Sequence, residues 1–153
     1  MSTTTLTVPA EHAEHFRAAL VEEIGTCVGW VKSQREDLAE ARQRNGSRVD
    51  LSRQDLLGAQ QHLEWDIRLM AQIGCEDNME PLEVRADPDT LAHVCETMAD
   101  KVVGPTLNPM LDGDALDAER AAELRRLAEP LTWAAERAAE FHTAARKRDV
   151  EGA

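Results

Sequence analysis

The chain has no tyrosine, and its only aromatic residues besides histidine are Phe16, Phe141, Trp30, Trp65 and Trp133. Stacking platforms for single-stranded nucleic acid are therefore not expected, and a core must be filled mainly by Leu, Val, Ile, Ala and Met. No stretch approaches the ~20 consecutive apolar residues of a membrane span, and Met1–Pro9 carries neither a basic region nor an apolar run. The three cysteines, Cys27, Cys75 and Cys95, include no C-x-x-C pair, which argues against a disulfide framework or a zinc knuckle. Cys27 and Cys95 fall on apolar helical faces and read as small core residues. The eight glycines are dispersed, so there is no phosphate-cradling loop. The reading is a reduced, cytoplasmic setting with no cofactor.

What is present is charge and helical rhythm. The net charge of −12 is concentrated in residues 76–123, which carry −10, against −3 before and +1 after. Such a surface repels phosphate backbones and anionic lipids, so neither nucleic acid nor membrane is expected as a partner, whereas a basic protein would be attracted. The simpler account is solubility.

Leu124, Leu127, Leu131, Ala134, Ala138, Phe141 and Ala145 alternate steps of three and four, which places one apolar stripe along a helix. Phe16, Leu20, Ile24, Cys27, Val31, Leu38 and Ala41 do the same ahead of Asn45-Gly46, behind Pro9 as a first-turn residue with Glu11 and Glu14 near the positive end of the dipole. Leu56, Leu63, Ile67 and Met70 follow a capping-box-like Ser52 and Asp55, and end at Gly74. Leu91, Val94, Cys95, Met98 and Val102 follow Asp87-Pro88 and are expected to stop at Gly104-Pro105. The fold class is all-α: a single domain over 1–153, a four-helix bundle with helices at approximately 9–44, 53–73, 88–103 and 115–147. Asp114 is the expected cap of the last helix, and Arg146, Lys147 and Arg148 complement its negative end.

Helices 1 and 4 should reach ~50 Å, and helices 2 and 3 only ~25 to 30 Å. Kinks at Gly25, Gly29 or Pro130, or pairing of the overhanging ends with a second copy, would resolve the mismatch. Residues 1–8 and 148–153 are expected to be weakly ordered. Leu6-Thr7-Val8 and Leu82-Glu83-Val84, each ahead of a proline-led helix, suggest a minor two-stranded ribbon from residues 4–8 and 82–86, or a duplicated unit.

No complete catalytic constellation emerges. The Glu-x-x-His order of carboxylate-bridged di-metal bundles precedes none of His12, His15, His62, His93 or His142. His12 and His15, one turn apart, are the weak metal candidates, opposed by the positive end of their helix. Asp112, Asp114, Asp117 and Glu123 resemble a calcium loop, but Leu116 and Asp117 stand where a ligand and the turn glycine belong. Gly25, Gly29 and Trp30 are the interaction candidates, since small residues four apart admit another backbone, with a crowded crossing inside the chain as the plain alternative.

The leading expectation is a non-enzymatic bundle acting through protein–protein interaction or self-association as a homodimer. The alternative is a small-ligand or metal-binding bundle, conceivably an enzyme, in which polar groups drawn from His62, Glu64, His93 and His142 converge on an interior cavity.

Overall fold

The structure, a computed structural model, describes residues 3–44, 46, 48–74, 80–111 and 118–151. Strand β1 (Thr4–Val8) leads through a 3-10 turn (Ala10–His12) into α1 (Ala13–Gln43). Helix α2 (Val49–Ile73), strand β2 (Leu82–Ala86) and α3 (Pro88–Thr97) follow. A π-helical turn (Met98–Val103) joins α3 to α4 (Gly104–Leu111), and α5 (Ala118–Glu151) closes the chain. With α3, the π turn and α4 forming one rod, the molecule is an all-α four-helix bundle with a minor ribbon.

The two strands pair antiparallel, Leu6 opposite Val84 and Val8 opposite Leu82. All four side chains face inward and are buried, while Thr5, Thr7, Glu83 and Arg85 face out. This period-2 alternation makes so short a ribbon stable only as a cover for the bundle end. The free edge of β2 is satisfied from α2: Gln72 Nε2 donates to the Arg85 carbonyl at 2.7 Å, and Arg85 N–H donates to Gln72 Oε1 at 2.8 Å. The expected weakly ordered ends are thus partly structured, residues 4–8 as strand and 148–151 as the last turn of α5.

Helix α3 starts as its sequence dictates. Asp87 is extended, its carboxylate accepts from Asp89 N–H at 3.0 Å, and Pro88 occupies the first turn. Arg148 of α5 bonds Asp87 Oδ1 and lies 3.4 Å from Asp89 Oδ2, tying the end of α5 to the start of α3. Phe16, Leu20, Leu69, Leu91, Val94 and Met98 lie at the centre of the core.

Four expectations are corrected. Helix α2 begins at Val49, after an Arg48 that makes no side-chain cap; Ser52 is already inside the first turn, its N–H bonded to the Arg48 carbonyl. Ile67 is 52% exposed, and the inward face of α2 is Ala59, Asp66, Leu69 and Ile73. Gly104-Pro105 does not end the third helix, because Gly104 keeps helical angles and Pro105 stands in the first turn of the next segment, where its missing N–H costs little. Asn108-Pro109, a pair whose sequence reads as the opening of a turn-rich stretch, is likewise helical. Gly25 and Gly29 lie inside α1, and Pro130 lies inside α5. Cys75 and the stretch from Asp112 to Asp117, including the expected Asp114 cap, lie outside the described residues.

Gly104 is required by the π turn. Its N–H donates to the Ala99 carbonyl five residues back, and a Cβ would stand 2.7 Å from that same oxygen. Gly104→Ala should therefore lower stability by about 1 to 3 kcal/mol in urea unfolding, although alanine is the better helix former by about 1 kcal/mol. A stabilised variant would contradict the close approach.

Candidate functional site

Asp66 points from α2 into the apolar interior and is only 4% exposed. Its Oδ2 accepts a hydrogen bond from Cys27 Sγ on α1 at 3.2 Å. One turn before Cys27, Glu23 Oε2 accepts from Thr97 Oγ1, at the end of α3, at 2.8 Å. One ligand atom from each of Glu23, Cys27 and Asp66 lies within 4.8 Å of the other two. The i, i+4 spacing of Glu23 and Cys27 places both on the side of α1 that meets α2 and α3.

Electrostatics marks this cluster as costly. Burial, reinforced by the hydrogen bond and charge of Asp66, pushes the Cys27 thiol up to about 12. Burial likewise pushes the Asp66 carboxyl up to about 6, with Glu23 adding to the rise and the Cys27 hydrogen bond and His93 opposing it. Among the described residues, no Lys or Arg forms an ion pair with Glu23 or Asp66. Cys95 is also buried, and burial pushes its thiol up to about 12, with Arg137 opposing the rise and Glu140 adding to it.

Toward solvent the polar seam continues as histidines. His62 on α2, His93 on α3 and His142 on α5 meet ring to ring, and Glu96 Oε2 lies 3.3 Å from His142 Nε2. Trp30 and Trp65 flank His62 with centroids 5.7 Å and 5.4 Å away. The Glu-x-x-His order sought in the sequence is present reversed, as His93 and Glu96. Glu64 stays apart, paired with Arg68 on the surface.

The residues singled out from sequence fall elsewhere or change meaning. His12 is buried, with its ring 5.3 Å from Trp133; the Nδ1 atoms of His12 and His15 are buried without partners. A Cβ on Gly25 or Gly29 would meet nothing within 4 Å, so among the described residues no helix crosses closely there. Trp30 is 40% exposed and turns toward His62. Glu123 sits on α5 beside Arg126. Sequence reasoning missed Glu23, Asp66, Glu96 and Thr97; the available signal was two i, i+4 pairs, Glu23 with Cys27 and His62 with Asp66, mixing donor types. Among the described residues no helix is long and apolar enough to cross a membrane.

No family model, curated protein or solved structure matches this chain.

Because the Asp66 carboxyl rises from 3.8 to about 6 on folding, the native chain holds a proton that the unfolded chain has lost between those values. Stability of the metal-free protein therefore falls as pH rises through that window, by about 3 kcal/mol from this group. Urea unfolding with a chelator at pH 4 and pH 7 should show that fall attenuated in Asp66→Asn. Equal pH dependence in the two proteins would contradict the assignment.

Proposed function

We propose that this chain binds a divalent transition-metal ion of the zinc class at Glu23, Cys27 and Asp66. The observation that carries this reading is the convergence of a thiol and two carboxylates within 4.8 Å, at a place where no Lys or Arg among the described residues compensates the acids. A buried carboxylate without a countercharge is expensive, and a bound cation removes that cost. The donor set favours a borderline ion, since calcium and magnesium take oxygen ligands whereas zinc accepts sulfur and oxygen together.

The geometry is close to what such an ion needs. With metal–sulfur and metal–oxygen distances of about 2.3 Å and 2.0 Å, ligand atoms on a tetrahedral ion stand about 3.5 Å apart. The Cys27 and Asp66 atoms are already at 3.2 Å. The ion takes the place of the thiol proton, which leaves to solvent, and its two positive charges offset most of the negative charge of the thiolate and two carboxylates. The Thr97 hydroxyl holds Glu23 in orientation as an outer partner.

A second reading, association of two copies through α1, is favoured by one observation. Val21, Gly25 and Val28 share an outer face of α1; Val21 is 60% exposed, and the glycine leaves room for a close neighbour. Light scattering across a concentration series should then give a mass rising toward two chains, and a monomer throughout would remove this reading.

For the metal, Co2+ added to the reduced, tag-free protein should produce a thiolate-to-metal charge-transfer band in the near ultraviolet. Cys27→Ser should abolish the band, and Asp66→Asn should weaken binding at least about tenfold. Zn2+ at a hundred times its dissociation constant should stabilise the fold by about 2.7 kcal/mol. Wild-type protein that yields no band would overturn the reading.

A further inference from the structure

The row of imidazoles on the outer part of the seam is separate from the thiol and carboxylate cluster, and packing does not explain it. His62, His93 and His142 come from three different helices, yet their rings stand edge to face with centroids 6.1 Å and 6.0 Å apart. Glu96 Oε2 lies between two of them, 3.3 Å from His142 Nε2 and 4.0 Å from His93 Nδ1. The side chains of His93, His142 and Glu96 are between 34% and 51% exposed, so water and ions reach them and their rotamers are free to adjust. His62 is held more firmly, between Trp30, Trp65 and His93.

Two imidazoles bound to one tetrahedral ion hold their ring centres about 5 Å apart, given metal–nitrogen distances of about 2.0 to 2.1 Å. The 6.0 Å between His93 and His142 exceeds that by about 1 Å, which these two partly exposed rings can close by side-chain rotation. The Glu96 carboxylate already stands at hydrogen-bond distance from His142, 3.3 Å, and 4.0 Å from His93, as expected of a further donor or of an outer partner that orients the rings.

We propose that His93, His142 and Glu96 form a second divalent-metal site, distinct in chemistry from the inner one, with His62 packed against His93 at its rim. Its donors are imidazole nitrogens and a carboxylate oxygen with no sulfur, a set suited to Ni2+, Zn2+ or Cu2+. The site lies at the surface, with coordination positions open to water. It is independent of Cys27, and Trp30 and Trp65 beside His62 report its occupancy.

The test titrates Ni2+ alone into the tag-free, full-length, reduced chain, read by calorimetry and by tryptophan fluorescence. Wild type and Cys27→Ser should both bind Ni2+ at this site with quenching. His93→Ala and His142→Ala should each weaken that event at least about tenfold, with helical circular dichroism unchanged and the Co2+ thiolate band intact. His142→Gln, which keeps a polar side chain of similar reach, repeats the test should the alanine variant fold poorly. Nickel binding that survives in both histidine variants, or an absence of nickel binding in Cys27→Ser, overturns the proposal. Nickel binding without any thiolate band in wild type leaves it standing and removes only the inner site, so the two failures are separable.

Discussion

Everything distinctive in this fold turns on one buried carboxylate. Asp66 occupies a position where the period of α2 calls for an apolar residue, in line with Ala59, Leu69 and Ile73. A leucine there would complete the stripe and avoid the cost of desolvating an acid. The chain instead surrounds Asp66 with a thiol donor from Cys27, the charge of His93 and a second acid, Glu23, and its carboxyl rises to about 6. Stability does not account for this arrangement, because two acids and a thiol packed together weaken one another's burial. Groups perturbed by desolvation together with specific neighbours are characteristic of sites that bind or react.

The third rod presents its polar groups on one side while its core side stays closed, and the π turn makes that possible. In a regular α-helix, residues five apart point about 140° away from each other. Met98 and Val103 are five apart, yet both are fully buried. The i→i+5 bonding brings them onto nearly the same face, at the price of the close Gly104–Ala99 contact. Directly upstream, Thr97 meets Glu23 of α1, His93 meets His62 of α2, and Glu96 meets His142 of α5.

How much of this was legible depended on whether the chemistry was local. Asp87-Pro88 read correctly as a cap because its hydrogen bond to Asp89 is made within three residues. The ribbon was legible in Leu6, Val8, Leu82 and Val84, whose alternation matches the register they adopt. In helix α2 the apolar stripe placed Ile67 inward, where it is exposed, and passed over Asp66, which is buried beside it. That omission concealed the cluster, since a stripe built only from apolar residues leaves a buried carboxylate out of view. Gly104-Pro105 misled for a related reason, because their usual role as stop signals was overridden by a π turn that only tertiary packing selects. The seam itself draws on residues 23–27, 62–66, 93–97 and 142, four segments whose meeting no local pattern encodes.

The expectation of a ligand-binding bundle was tied to an interior cavity, and the structure separates the two ideas. Polar groups do converge, but a cleft of about 660 Å³ lies at the tip of the α1–α2 hairpin, among Gln34, Asp37, Arg44, Arg48 and Asp55, away from the seam. An organic ligand needs a volume of that order. A metal ion does not, because it displaces a proton, draws its donors inward by an ångström or less, and leaves no void when absent. A bundle can therefore be closely packed throughout and still keep a binding site, provided that the site is made of charge rather than space. The thiol and two acids at the junction of α1, α2 and α3 meet that condition, and the imidazoles outside them meet it again with a different set of donors.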